Sequence, residues 1–181
     1  MKNPSLTLSL PLLMALVACS SQADYRKIDT PPATVSEVDL NRYAGRWYEI
    51  ARYPNSFQKN CEAVTAEYSL REDGNINVTN TCHAGEVRSA TAIARIVEDT
   101  GNAQLKVKFA PKWVPFAWGD YWILHLEEDY SAALVGSPDG KYLWILSRTP
   151  KLDDKIYQSI TKRAKELGYA TTPLKMTEHP N

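Results

Sequence analysis

The 181-residue chain has no excess of charge of either sign: 21 lysines and arginines stand against 21 aspartates and glutamates. A surface so balanced lacks the basic field that draws a protein to nucleic acid, so no nucleic-acid partner is expected. Catalytic motifs are missing as well. The histidines His83, His125 and His179 fall in no zinc-ligand spacing, and no Gly-x-Ser-x-Gly elbow or phosphate loop occurs. No catalytic residue, metal ligand or cofactor is expected, which favours a binding protein over an enzyme. The apolar run from Leu6 to Val17 is too short to cross a bilayer, since a spanning helix needs roughly 20 residues. Cysteine is scarce: Cys19, Cys61 and Cys82 are all there are.

What is abundant is aromatic, with ten tyrosines and five tryptophans. Aromatics favour strands and line apolar pockets. The length suits one domain with a sizeable core. Lys2, the short apolar run and a small residue at Ala18 form a secretion signal. Leu16-Val17-Ala18-Cys19 is similar to the lipobox of bacterial lipoproteins, which implies cleavage before Cys19 and acylation of that residue. Ser20 after it resembles lipoproteins sorted to the outer membrane, there facing the periplasm. Residues 1–18 are thus expected to be a signal peptide, and 19–36, polar and containing Pro31-Pro32, a flexible tether. The folded domain is expected over 37–181. With Cys19 acylated, Cys61 and Cys82 remain as an even pair in an oxidising compartment, where a disulfide is the default and two buried free thiols the alternative.

Strand signals recur along the domain: Trp47–Tyr53, Val64–Leu70, Ile76–Cys82, Ser89–Val97, Leu105–Phe109, Tyr121–Leu126, Ala133–Gly136 and Tyr142–Ser147. Asp73-Gly74, Thr100-Gly101-Asn102 and Pro138-Asp139-Gly140 supply turn chemistry between them. Eight strands in series with short links predict an all-β, eight-stranded antiparallel up-and-down barrel. After Pro150, Ile156, Ile160, Ala164 and Leu167 recur at helical spacing up to Gly168. This predicts one C-terminal α-helix whose apolar stripe packs on the outside of the barrel. Taking Asp73-Gly74 as a two-residue turn sets Cys82 opposite Thr65. Cys61 must then fold back from the preceding loop, or a bulge must intervene, to meet it.

Three separated segments resemble the signatures of the lipocalin family. They are Gly45-Arg46-Trp47-Tyr48, Asp129-Tyr130 with the following Ala133-Leu134-Val135, and Leu143-Trp144-Ile145-Leu146-Ser147-Arg148. The resemblance runs from about Asp39 to the C-terminus. It implies that Trp47 seats in the closed end of the barrel with Arg148 packed across it, and that Gly45 lets the chain pass close beneath. In the family's register the inward positions are Ala66, Tyr68, Val78, Asn80, Ala92, Val107, Phe109, Tyr121, Ile123, Val135, Tyr142 and Trp144. Strand side chains alternate faces, so a one-residue error would invert a whole set. The inward tyrosine hydroxyls need partners, which the polar head of a ligand could supply. Glu49 shares the parity of Trp47 and is expected to meet a polar head or nearby backbone.

The resemblance also implies a function: binding, storage or transport of a small hydrophobic ligand, a fatty acid or a lysophospholipid, at the cell envelope. The competing readings are a lipid-modifying enzyme on the same barrel and a ligand-free interaction protein. The loop carrying Trp113, Phe116 and Trp118 belongs to the open end, as a lip that guides lipid or touches a membrane, or as a lid. Membrane association through the lipid anchor is expected, with the barrel as a monomer or homodimer.

Overall fold

The computed structural model describes residues 24–109 and 118–180. The expected signal peptide, Cys19, Trp113 and Phe116 lie outside the described residues. A four-residue helix, α1 (Leu40–Tyr43), leads into eight strands: β1 (Gly45–Arg52), β2 (Ala63–Leu70), β3 (Ile76–Ala84), β4 (Glu86–Ile96), β5 (Gln104–Lys108), β6 (Gly119–Leu126), β7 (Ala132–Gly136) and β8 (Leu143–Ser147). A longer helix, α2 (Asp154–Glu166), and a two-residue strand, β9 (Lys175–Met176), complete the chain.

Each strand pairs antiparallel with the next, and β1 pairs with both β8 and β2, which closes the barrel. Alternation explains why. In β3, Ile76 and Val78 are buried inside while Asn77 and Thr79 between them are not, as the period of two demands. Among the described residues the closed ring gains one added strand, β9, on the upper half of β1. β1 itself divides its partners. Gly45–Tyr48 pair with β2 and Ala51 and Arg52 with β9, while on the opposite edge the ladder with β8 shifts register between Glu49 and Ala51. The wall between β1 and β2 therefore parts above Tyr48.

The outer face of β1, β6, β7 and β8 receives α2. Asp153 caps the helix by accepting hydrogen bonds from the amides of Lys155 and Ile156, and Arg163 and Lys165 in its last turn complement the dipole. Ile160 and Ala164 are fully buried with Leu124, Leu134, Leu143 and Ile145. A separate cluster fills the lower half of the lumen around Trp47, Tyr43, Leu105 and Ile123.

Two sequence expectations need correction. The β2–β3 hairpin turns through three residues, Glu72–Gly74, rather than two. The Gly74 amide donates to the Arg71 carbonyl, Gly74 takes a left-handed φ of 78°, and Arg71 and Asn75 still bond across. That extra residue shifts the register by one, so Cys82 faces Val64 and not Thr65. Cys61, bent back ahead of β2, reaches Cys82 with a Cα–Cα separation of 5.4 Å, and the disulfide forms.

The second correction concerns the tether. From Asp24 to Ser36 the chain is not free but strapped to the barrel. Arg26 is buried, and its guanidinium donates to the carbonyls of Leu167, Ile28, Pro138 and Thr30. The Val35 amide donates to the Ile123 carbonyl, and Val38 to Gly101. Gly101 must be glycine here, because a β-carbon would collide with the Ser36 carbonyl.

Candidate ligand-binding cavity

Up-and-down topology gives the barrel two unlike ends. The closed end holds α1 and the connections 71–75, 97–103 and 127–131; the open end holds the β1–β2, β3–β4, β5–β6 and β7–β8 connections. At the closed end Gly45 has φ 92° and lies under Arg148, whose Nη1 would stand 3.4 Å from a β-carbon there. The Arg148 guanidinium sits 3.9 Å from the centroid of Trp47 and donates to the carbonyls of Arg42, Tyr43, Arg46 and Tyr130. Trp47 is wholly buried and its indole N–H donates to the Tyr43 carbonyl at 2.8 Å. Asp129 accepts from the Ser131 amide, which shapes the turn that holds Tyr130 at φ 64°. The Tyr130 hydroxyl then accepts from the Asp39 amide, beneath the Arg42 guanidinium. These residues plug the base.

Above them lies a cavity of about 380 Å³, within the range of small-molecule sites. Nine expected positions line it: Ala66, Tyr68, Val78, Asn80, Val107, Phe109, Tyr121, Tyr142 and Trp144. Ala92, Ile123 and Val135 also face the lumen, but lower down, where they belong to the packed floor and touch no open space. Trp118 is half-buried with the Arg95 guanidinium 4.5 Å from its ring centroid, and it is not among the residues lining the cavity.

Sequence reasoning missed six lining residues. Val64 and Leu146 continue the parity of Ala66 and Trp144, so extending the alternation would have found them. Gly119 and Asp120 start β6 beyond its apolar pattern. Phe57 and Gln58 come from the β1–β2 loop, which has no period to read. Glu49 points inward as its parity implies, and side chains rather than backbone hold its carboxylate. Arg52 donates to Oε1 at 2.9 Å, Thr177 at 2.6 Å, and Gln58 to Oε2 at 2.6 Å. Gln58 accepts in turn from the Trp144 indole at 3.1 Å. This group fills the gap where β1 and β2 part. With side chains only 3% and 10% exposed, Glu49 and Arg52 form a desolvated pair whose partners are nearly complete. Glu49 is a wall element, committed to its neighbours.

The tyrosines correct a further expectation. Tyr121 bonds to both Tyr43 and Tyr68 through its hydroxyl, each at 2.8 Å. The hydroxyls thus find partners in one another. Burial pushes all three phenols up, Tyr68 to about 12. Three hydroxyl protons serve two bonds, so one O–H is uncommitted within the triad. Nearby, the Asn80 carboxamide oxygen is buried without a partner. Two carboxylates line the cavity, but Arg52 pairs with Glu49 and Lys106 with Asp120. Among the described residues lining it there is no lysine or arginine.

A family model described as a lipocalin-like domain matches residues 38–179. The chain belongs to the lipocalin family. It is 39% identical over 171 residues to the outer membrane lipoprotein Blc of Citrobacter freundii, covering 91% of this chain and 90% of that one. It is also 40% identical over 149 residues to temperature-induced lipocalin-1 of Arabidopsis thaliana, covering 79% and 80%. Among solved structures, insecticyanin from the tobacco hornworm Manduca sexta superposes with a TM-score of 0.69 at 21% identity, covering 87% and 89%.

Proposed function

We propose that the protein binds a single-chain lipid, a fatty acid or lysophospholipid, in the upper lumen and carries or stores it without altering it. The proposed setting is the outer membrane, with an acylated Cys19 as anchor. One observation carries this reading: the cavity is open at one end, walled mainly by apolar side chains, and its polar groups are almost all bonded to each other. Such a space rewards burial of methylenes, at about 0.8 kcal/mol each, and offers little else.

The charge pattern gives the ligand a direction. A carboxylate or phosphate driven to the floor would be desolvated with no lysine or arginine beside it among the described lining residues, at a cost of several kcal/mol. The acyl tail therefore enters first, and the head group stays at the rim near Phe57 and Tyr142. The setting draws support from the Blc relatives, named outer membrane lipoproteins, and from the lipobox-like Leu16–Cys19.

Native mass spectrometry of the protein purified from its own envelope tests the reading. A mass increment matching one lipid, released by denaturation and identified in the extract, is expected. Protein that carries no lipid and takes up none from added fatty acid or lysophospholipid would overturn it. Turnover of the added lipid would favour an enzyme instead.

A further inference from the structure

The strapped N-terminus fixes where an anchor leaves the barrel. Asp24 and Tyr25 lie at the open end: the Tyr25 amide donates to the Gly140 carbonyl in the β7–β8 turn, and the Tyr25 ring meets Tyr53 edge-on at 4.8 Å. From there the chain runs toward the closed end, meeting Gly168, then Ile123, then Gly101. Cys19 precedes Asp24 by five residues, a reach of at most about 18 Å when fully extended. β3 alone has nine residues. At about 3.3 Å each and a tilt of about 40°, such a strand spans about 23 Å along the axis. An anchor that starts at the open end is too short to seat the closed end on its bilayer.

The two ends also differ in surface chemistry. At the open end three large apolar side chains meet solvent: Phe57 in the β1–β2 connection is 60% exposed, Val87 near the start of β4 64%, and Phe109 just after β5 48%. The β7–β8 connection receives the N-terminal strap. At the closed end, the connections 71–75, 97–103 and 127–131 hold seven carboxylates, against Arg71 among them and Arg42 and Arg148 beside them. An acidic face is repelled by the anionic surface of a membrane, whereas the open-end connections balance Glu62 and Asp139 with Lys59, Lys112 and Lys141, and an apolar rim without acidic excess suits the interface.

We propose that the anchor holds the barrel mouth-down, with the rim of Phe57, Val87 and Phe109 seated on the leaflet that takes up the acyl chains of Cys19. This rests on the acylation of Cys19 included in the reading above, and it assigns the rim a partner, the phospholipid bilayer itself. A lipid tail would then pass from leaflet to lumen without crossing water.

The test uses the full-length lipoprotein reconstituted in phosphatidylethanolamine/phosphatidylglycerol vesicles, with acylation of Cys19 verified by mass. Ser56→Cys at the rim and Glu72→Cys at the closed end each carry an environment-sensitive fluorophore, and bromine-labelled phospholipids act as quencher. The rim label is expected to be quenched severalfold more strongly than the closed-end label. Equal quenching, stronger quenching at the closed end, or an unacylated Cys19 would overturn the proposal. The readout is independent of what occupies the lumen. A quenched rim with an empty lumen would refute the carrier while leaving the orientation standing.

Discussion

Replacing Ala66 with phenylalanine tests whether the upper lumen is ligand space. Ala66 sits on β2 opposite Trp47 on one side and Asn80 on the other, with its methyl at the cavity wall just above the packed floor. A phenyl ring built there must project into the open volume, because the neighbouring strands block every other direction. It occupies the space of about four methylenes of an acyl tail. At about 0.8 kcal/mol each the loss is about 3 kcal/mol, or more than a hundredfold in affinity. Titration with a fluorescent fatty acid measures this directly, and a chain-length series sharpens it. The wild-type protein should gain affinity with each added methylene until the cavity is full, and Ala66→Phe should reach its plateau about four carbons earlier. The ring also fills empty space, so the variant should melt no lower than wild type. Unchanged affinity together with an unchanged plateau would refute the placement of the tail in this cavity.

Other perturbations address the frame around the site. Arg148→Ala removes the stack on Trp47 and the donors to four carbonyls, and urea denaturation should show a loss of about 2–3 kcal/mol. Replacing both Cys61 and Cys82 with serine opens a loop of sequence separation 21, and the same assay should report about 3 kcal/mol less stability. The tyrosine triad predicts an alkaline limit. Tyr68 keeps its proton to about pH 12 when folded but would lose it near 10 when unfolded. The folded state thus binds more protons between those values, and stability must fall as pH rises through that window. Denaturant melts at pH 9 and 11 check the sign: equal stability at both would contradict burial of the triad.

The barrel was legible in the sequence because its signal is local. Alternation along β2, β3 and β5 names the inward side chains, and apolar spacing in α2 names its buried stripe. What escaped depends on distant partners or on one inserted residue. Arg26 reads as a solvated residue in a polar tether, yet its guanidinium finds carbonyls as far along the chain as Leu167. Such a socket exists only after folding. The three-residue turn at Glu72–Gly74 moved the β2–β3 register by one, a change that Asp73-Gly74 alone does not announce. Glu49 was placed on the correct face by parity, but its partners Thr177 and Gln58 come from a tail and a loop without periodic pattern. The cavity floor was drawn too low for a similar reason. Ala92, Ile123 and Val135 face inward as expected, but how deep the lumen stays open depends on side chains from all eight strands at once.

The account stands on a lipid tail lying inside the barrel. A crystal of the protein soaked with a fatty acid carrying bromine on its terminal carbon would locate that tail by the anomalous signal. The peak should fall in the upper lumen, near Ala66, Val78 and Tyr121. A peak on the outer wall of the barrel would contradict it.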